Sequence, residues 1–223
     1  MEKRILDVKG PHRGQPVYIT GEPFESARAA MVLVHGRGAS AEDMLGLAEE
    51  FKHTGLAFLV PQARESVWYP MPYSLPTEQN EPWLASALEG VGATLAIAET
   101  GRIPASQTIL LGFSQGACLA LEYAARNARR YCGLAGLSGG LIGPEAEARP
   151  TQADLSGTPV FLGCSDTDPY FPLEYIHYTA RVFKKLGGQV TERIYPGMGH
   201  AVNEDEIEFI RAWVQQILGV TAG

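Results

Sequence analysis

Cysteine is scarce in this chain, and its scarcity excludes two classes of protein. Only three cysteines, Cys118, Cys132 and Cys164, occur among the 223 residues, and they are widely spaced within apolar segments. An odd, scattered set of this kind favours buried free thiols over a disulfide framework or a zinc site. Free thiols in turn agree with a reducing compartment.

Long apolar runs and basic blocks are also missing. No stretch approaches the roughly 18 apolar residues of a membrane-spanning helix. The opening MEKRILDVKG is too frequently charged to supply the apolar centre of a secretory signal. Lysine and arginine number 18 against 25 acidic residues, a formal net charge of −7. These features predict a cytoplasmic protein with no nucleic-acid partner and no membrane span.

What the chain does contain, from residue 29 onward, is an alternation of short apolar strands and helical patterns. The strand patterns cover 29–36, 56–62, 107–114, 131–139, 158–165 and 189–197, and the helical patterns cover 40–55, 80–101, 115–127, 173–186 and 203–218. Such an alternation predicts a mostly parallel sheet with helices on both faces. ILDV (5–8) and PVYIT (16–20) are expected to add antiparallel edge strands. Without an internal repeat or a linker, residues 1–223 are predicted to form a single α/β domain.

Residues 63–83, ARESVWYPMPYSLPTEQNEPW, interrupt this alternation. The segment holds four prolines, two tryptophans and two tyrosines, and it has no helical or strand period. Long irregular loops in compact domains often serve function, and in α/β sheets they rise from the carboxyl ends of strands, where ligands bind. The segment is therefore predicted to form a pocket wall; packing over a sheet edge is the alternative.

The pattern G-x-S-x-G occurs twice, centred on Ser114 and on Ser138. Ser114 lies between the strand pattern TILLGF and thirteen residues of good helix pattern, which is the strand–turn–helix context of a nucleophilic serine. Ser138 also follows a strand pattern, but GGLIGPEAEARP comes next, and its glycines and proline cannot start a helix there. Ser114 is therefore the candidate nucleophile, and Ser138 is assigned to a loop.

A serine nucleophile needs a base, and five histidines are available. His200 lies in PGMGH, between the last strand and the last helix, where hydrolases of the order Ser…Asp…His place their base. His12 and His53 are expected to be solvated, and His177 to pack within a helix or lie on its surface. His200 is the candidate base.

The acid that orients the base should follow the preceding strand, in CSDTDPYFP. Asp166 and Asp168 both qualify by position. Asp168 precedes Pro169, which keeps it out of the helical region and restricts its direction. Asp168 is the candidate acid, and Asp166 is expected to support the loop.

GFSQGACLAL, CSDTDPYFP and YPGMGH together resemble the serine-hydrolase family of microbial carboxylesterases, lysophospholipases and acyl-protein thioesterases. The resemblance covers roughly 190 residues, from MVLVHGRG to the C-terminus. It implies an α/β-hydrolase fold and hydrolysis of small to medium carboxylic esters through an acyl-enzyme on Ser114, with lysophospholipids or thioesters as further substrates. It implies no metal and no organic cofactor.

The resemblance also implies an oxyanion hole built from the backbone N–H groups of Arg37 and Gln115. Family members usually carry an apolar residue at position 37. The arginine side chain is expected along the pocket rim; a preference for acidic substrates is the alternative. Candidate wall residues are Trp68, Tyr69, Met71, Tyr73, Trp83, Tyr170 and Phe171. The segment between VPQA and WYP is shorter than in thioesterases, which argues against a long acyl channel.

Three other functions compete with the esterase. Gly36-x-Gly38-x-x-Ala41 after a strand satisfies a dinucleotide fingerprint, but the acidic residue expected at the end of the next strand is replaced by Pro61-Gln62. A dienelactone-hydrolase-like enzyme would normally use cysteine at position 114. A non-catalytic binding module would normally have lost part of the triad. An apolar rim around the site would also admit a homodimer.

Overall fold

A mostly parallel sheet of eight strands organises the molecule. The computed structural model describes residues 1–147 and 154–219. The strands are β1 Glu2–Ile5, β2 Pro16–Gly21, β3 Ala29–Val34, β4 Leu56–Pro61, β5 Thr108–Phe113, β6 Gly133–Leu137, β7 Pro159–Ser165 and β8 Gln189–Tyr195. Their spatial order is β1-β2-β4-β3-β5-β6-β7-β8. Strands β3 to β8 pair in parallel, as the alternating pattern predicts.

The described residues form five α-helices, four of them between strands and one after the last strand. They are α1 Ala41–Ala48, α2 Trp83–Thr100, α3 Gln115–Arg126, α4 Leu173–Lys185 and α5 Glu204–Ile217. Successive side chains of a strand point to opposite faces of the sheet. In β3, Val32 and Val34 therefore belong to the core cluster that also contains buried residues of α2, α3 and α4, whereas Met31 and Leu33 belong to the cluster that contains those of α1 and α5. The predicted α/β arrangement with helices on both faces is confirmed.

The N-terminal edge of the sheet differs from the prediction. The pattern at 5–8 is not a strand: β1 lies at Glu2–Ile5 and pairs antiparallel with β2, which pairs antiparallel with β4. Leu6 and Val8 are buried in the core, in the segment after β1. The apolar character of ILDV thus reflects packing of an irregular segment, because β1 itself is exposed along its length.

The aromatic segment after β4 is largely irregular, with two short 3-10 turns at Arg64–Ser66 and Thr77–Asn80 before α2 begins. It is held to the rest of the molecule by backbone contacts. The N–H of Gly143 donates to the carbonyl of Tyr73 at 2.7 Å, and that of Gly38 donates to the carbonyl of Ser66 at 2.8 Å. The segment therefore lies beside the loops that follow β3 and β6, at the carboxyl edge of the sheet.

Candidate active site

Ser114 lies on a strained turn between β5 and α3. Its backbone has φ 55° and ψ −122°, which an L-residue rarely adopts, and such strain concentrates at functional sites. The turn needs two glycines, because a Cβ on Gly112 would collide with the carbonyl of Gly116. A Cβ on Gly116 would collide with the carbonyls of Val34 and His35. The tight contact of strand and helix backbones lifts the Ser114 side chain above the edge of the sheet.

His200 and Asp168 extend a chain of hydrogen bonds from this serine. His200 Nε2 lies 2.9 Å from Ser114 Oγ, and His200 Nδ1 lies 2.8 Å from Asp168 Oδ2. The Asp168 side chain is fully buried and that of His200 is 17% exposed. The three candidates converge although they are separated by 54 and 32 positions along the chain, because each follows a parallel strand at the same edge.

The loop after β7 fixes the Asp168 carboxylate. Its Oδ1 accepts the N–H groups of Tyr170 at 2.8 Å and Phe171 at 3.2 Å, which leaves Oδ2 for the imidazole. The Cys164 thiol lies 3.8 Å from Oδ2. Burial raises the pKa of that thiol to about 12, so Cys164 is neutral beside the carboxylate.

The loop that carries His200 is tied down at three places. The N–H of Gly197 donates to Asp166 Oδ1 at 2.7 Å, and that of Gly199 donates to Ser165 Oγ at 2.9 Å. Ser138 Oγ donates to the carbonyl of Ala201 at 3.3 Å. Asp166 thus has the loop-supporting contact that the sequence predicts, whereas nothing in the sequence indicated Ser138 or Ser165 for this role.

Two residues with free backbone amides lie beside Ser114. Arg37 follows β3, and Gln115 is the first residue of α3. Both residues line the cavity above Ser114, and within residues 1–147 and 154–219 neither backbone N–H has a hydrogen-bond acceptor. Free amides are suited to bind an oxyanion, and the amide of Gln115 stands in addition at a helix start, which favours negative charge.

The side chains of these same two residues hold the aromatic segment. Gln115 accepts the N–H of Trp68 at 3.0 Å and donates to the carbonyl of Tyr69 at 2.8 Å. Arg37 Nη2 also donates to the carbonyl of Tyr69, at 2.7 Å, with a weaker contact to Met71 O at 3.4 Å. The guanidinium thus lies along the rim, where the sequence predicts it, and links the loop after β3 to the aromatic segment.

The cavity above Ser114 has a volume of about 570 Å³. It is lined by Gly36, Arg37, Ala39, Tyr69, Pro72, Tyr73, Ser74, Phe113, Ser114, Gln115, Pro169, Tyr170, Phe171 and His200. Of the predicted wall residues, Tyr69, Tyr73, Tyr170 and Phe171 are in place. Phe113, Pro72 and Pro169 were missed, although each stands one or two positions from a predicted site or wall residue.

Trp68, Met71 and Trp83 do not line the cavity, so these three assignments are wrong. Trp68 is fully buried, where its Nε1 donates to the carbonyl of His35 at 2.8 Å. Trp83 begins α2 and packs edge-on against His12 at 5.5 Å between ring centroids. Met71 is 39% exposed and projects to the surface. In an irregular loop no period tells which aromatic residues turn inward.

Two buried histidines lie under the aromatic segment. His12 is fully buried, contrary to the prediction that it is solvated, because the segment folds over it. Its Nε2 lies 2.9 Å from the carbonyl of Trp68, and its Nδ1 accepts the N–H of Arg64 at 3.2 Å. His35 Nε2 accepts the N–H of Ala63 at 3.0 Å. Burial lowers the pKa of both imidazoles, which keeps them neutral as acceptors. His177, by contrast, is exposed and pairs with Glu192.

The dinucleotide fingerprint is part of the same site. Gly36 lines the cavity, and a Cβ there would lie 3.3 Å from the Ser114 Cβ. Gly38 adopts φ +75° in the turn before α1. These glycines thus shape the turn that presents the Arg37 amide. Within the described residues, no group of His, Cys, Asp and Glu is arranged to hold a metal ion.

The serine lies on a strand–helix turn, and the histidine and the aspartate come from loops after later strands of a mostly parallel sheet. This arrangement places the molecule among the α/β-hydrolases. Residues 19–218 match the phospholipase/carboxylesterase family, and the chain belongs to this family. No helix of the described part of the chain combines the length and hydrophobicity that crossing a membrane requires.

A crystal structure of a phospholipase/carboxylesterase from Dyadobacter fermentans is 38% identical, with a TM-score of 0.83 over 89% of this chain and 95% of that one. An acyl-protein thioesterase 1 of Gibberella zeae is 32% identical over 123 residues, so this chain matches about half (52%) of that protein's length. The acyl-protein thioesterase 1 of Saccharomyces cerevisiae is 24% identical over 219 residues, 87% of this chain and 95% of that protein.

Proposed function

We propose that the protein is a serine carboxylesterase that hydrolyses small to medium carboxylic esters through an acyl-enzyme on Ser114. The observation that carries this proposal is the chain of hydrogen bonds from Ser114 Oγ through His200 to Asp168, at 2.9 and 2.8 Å. The free amides of Arg37 and Gln115 line the same cavity. A nucleophile, a base, an orienting acid and an oxyanion hole are the parts that acyl transfer requires.

In this mechanism Ser114 Oγ attacks the ester carbonyl while His200 Nε2 takes the hydroxyl proton. Asp168 holds the Nδ1–H tautomer and stabilises the imidazolium. The amides of Arg37 and Gln115 bind the oxyanion, and each would lower the barrier by roughly 3 kcal/mol. His200 then protonates the leaving alcohol. Water activated by the same histidine attacks the acyl carbonyl and regenerates Ser114.

The cavity supports the proposed substrate size. Its volume of about 570 Å³ lies in the usual range for small-molecule sites, and five of its fourteen lining residues are tyrosine or phenylalanine. Tyr73 stacks on Phe171 at 4.5 Å between ring centroids, and Phe171 stacks on His200 at 6.0 Å. An acyl group would therefore be bounded by fixed rings. Thioesters and lysophospholipids with short acyl chains fit the same description.

We also propose that residues 1–223 act as one domain in the cytoplasm. Unpaired thiols support a reducing compartment: all three cysteines are free, Cys118 and Cys164 are buried, and Cys132 is half-buried. Burial raises the pKa of Cys118 and Cys164 to about 12, so neither supplies the thiolate that a dienelactone-hydrolase-like mechanism would need.

The proposal is tested by treating the protein with a fluorophosphonate and mapping the adduct by mass spectrometry. Labelling is expected on Ser114 and should be lost in His200→Ala, because the unassisted hydroxyl is a weak nucleophile. His177→Ala is the matched control, since it removes an exposed histidine that pairs with Glu192. Labelling on Ser138, or no labelling of the folded protein, would reject the proposal.

A further inference from the structure

Arg37 gives the cavity a charge opposite to that of the whole chain. The chain carries a formal net charge of −7. Arg37 is nevertheless the permanently charged residue of the cavity lining, and no aspartate or glutamate of the described residues belongs to that lining. The rings of Tyr73, Tyr170 and Phe171 supply the apolar part of the wall. A small cavity with one fixed cation is therefore electrostatically biased towards a negatively charged ligand.

The Arg37 guanidinium is bound by backbone carbonyls rather than by carboxylates. Within the described ranges 1–147 and 154–219, no acidic side chain lies within ion-pair distance of Arg37. Its hydrogen bonds go to the backbone carbonyls of Tyr69 and Met71, and both use Nη2. The other guanidinium nitrogens have no acceptor among the described residues, and the residue is exposed to the cavity mouth. A bound anion could accept from them without breaking the contact to the wall.

The carboxylate of Asp168 is set back from the cavity. The Asp168 side chain is fully buried behind His200. One of its oxygens accepts from the imidazole, and the other accepts from the N–H groups of Tyr170 and Phe171. Asp168 is therefore not part of the cavity lining, and an anion in the cavity would contact the Arg37 guanidinium rather than this carboxylate.

We propose that Arg37 selects esters that carry a carboxylate or other anionic group close to the scissile bond. This inference rests on the proposed esterase function and names its substrate class. The same residue supplies the oxyanion amide and the guanidinium. The anionic group and the ester carbonyl must therefore lie within the span of one arginine side chain. Short half-esters of dicarboxylic acids meet this condition, as do esters of small acidic alcohols.

The test compares esters that differ only in charge. Monomethyl glutarate and the corresponding methyl ester of glutaramic acid carry the anion or its neutral amide on the acyl side. 4-Acetoxybenzoate and 4-acetoxybenzamide carry the anion or its neutral amide on the leaving group instead. For one of these pairs, the wild-type kcat/KM is expected to favour the carboxylate about tenfold, and the preference should weaken as salt is added. The preferred pair then identifies the side on which the anion binds.

Arg37→Gln is expected to bring the carboxylate-to-amide ratio close to one, and Arg37→Lys to keep part of the preference because it keeps the charge. Lys185→Gln is the matched control. It removes a cation at the far end of α4, whose first residues follow Asp168, and it should leave the ratio at the wild-type value. If Arg37→Gln lowers kcat/KM equally for the carboxylate and the amide of each pair, Arg37 only supports the wall and the inference is overturned.

A binding measurement separates this inference from the proposed function. Glutarate is expected to raise the melting temperature of the wild type more than the neutral diamide, glutaramide, does, and the difference should vanish in Arg37→Gln. Glutarate binding that depends on Arg37 in a protein that hydrolyses no ester would contradict the esterase and support the anion site. Ester hydrolysis with no charge preference in the wild type would support the esterase and overturn the anion site.

Discussion

The two G-x-S-x-G turns share more than their sequence pattern. Ser114 and Ser138 end neighbouring parallel strands, with φ 55° and 49°. The N–H of each serine donates to a carbonyl of the neighbouring strand. The N–H of Ser114 donates to the carbonyl of Leu137 at 2.9 Å, and the N–H of Ser138 donates to the carbonyl of Gly163 at 2.8 Å. A serine with a strained backbone at the carboxyl edge of the sheet therefore does not by itself define a nucleophile.

The turns differ in the structure that begins after the serine. After Ser114 the chain enters α3 at once, and Gln115, the first helical residue, lines the cavity and has a free backbone amide. After Ser138 the chain continues as Gly139-Gly140 in an irregular loop. Ser138 is fully buried, and its hydroxyl donates to Ala201 O in the loop that carries His200. One serine lines the cavity, and the other holds the loop that carries His200.

Replacing each serine by alanine should separate these roles most strongly. Ser114→Ala is expected to lower kcat by at least about 10⁴-fold, since removal of a triad nucleophile leaves only binding and oxyanion stabilisation. Ser138→Ala should lower kcat a few-fold, because it removes one of three contacts that position the His200 loop. Steady-state kinetics on p-nitrophenyl acetate measures both effects. Comparable losses in the two variants would show that Ser138 takes part in the chemistry.

The glycines of the two turns should differ next in their effect on stability. In Gly116→Ala the new Cβ would collide with the backbone carbonyls of Val34 and His35, which cannot move without distorting β3. In Gly136→Ala the new Cβ would meet the side chain of Leu121, which can change its rotamer. We expect Gly116→Ala to lose more than about 3 kcal/mol of unfolding free energy. Gly136→Ala should lose about 1–2 kcal/mol.

Urea unfolding followed by circular dichroism measures both free energies. Gly136→Ala also serves as the comparison for replacing a buried glycine, since both glycines are buried and each lies two residues from the serine of its turn. A Gly116→Ala protein that folds with nearly wild-type stability would show that the first turn is not closed by direct contact of strand and helix backbones.

The sequence was sufficient to predict those parts of the site that follow from chain order. Parallel strands end at one edge, so the loops bearing Ser114, Asp168 and His200 had to meet there, and the helix pattern after Ser114 distinguished it from Ser138. Trp68 and Met71 could not be placed in the same way. Their orientation depends on long-range contacts to His35 and Arg37, and an irregular loop has no period that encodes them.

His12 illustrates the same limit. Its neighbours in sequence are polar, which suggests exposure, yet Trp68 and Trp83 pack on its imidazole at 5.4 and 5.5 Å between ring centroids. These contacts join residues more than fifty positions apart. Burial of a polar residue by a distant loop leaves no trace in local hydropathy, so it required the three-dimensional structure.

A buried base lies beside the turn of Ser114, and a buried acid lies beside the turn of Ser138. His35 precedes Gly36, which packs on Ser114, and burial lowers the pKa of its imidazole. Glu206, at the start of α5, lies against Gly163 on the strand next to Ser138. It is fully buried, and its Oε1 has no hydrogen-bond partner among the described residues. Burial raises the pKa of Glu206 to about 7, with a smaller contribution from the Asp205 charge.

The two groups should therefore respond to pH in opposite directions. Unfolding releases Glu206 to its ordinary pKa of 4.5, so the unfolded state holds fewer protons than the folded state between pH 4.5 and about 7, and stability falls as pH rises through that range. His35 is the reverse: below its ordinary pKa of 6.5 the unfolded state binds the proton more readily, and stability falls as pH falls.

Glu206→Gln should isolate the first effect. Relative to this variant, the wild type is expected to lose about 2 kcal/mol of unfolding free energy between pH 5 and pH 8, because only the wild type must ionise a buried carboxyl. Urea unfolding at the two pH values gives this difference. Any effect of the substitution on the capping of α5 cancels, because it is the same at both pH values.

Glu208→Gln, which removes an exposed carboxylate of the same helix, is the control. A wild-type-to-variant difference that does not change with pH would show that the loop beside Ser138 tolerates a charged Glu206, and that the two turns do not differ in their electrostatic surroundings.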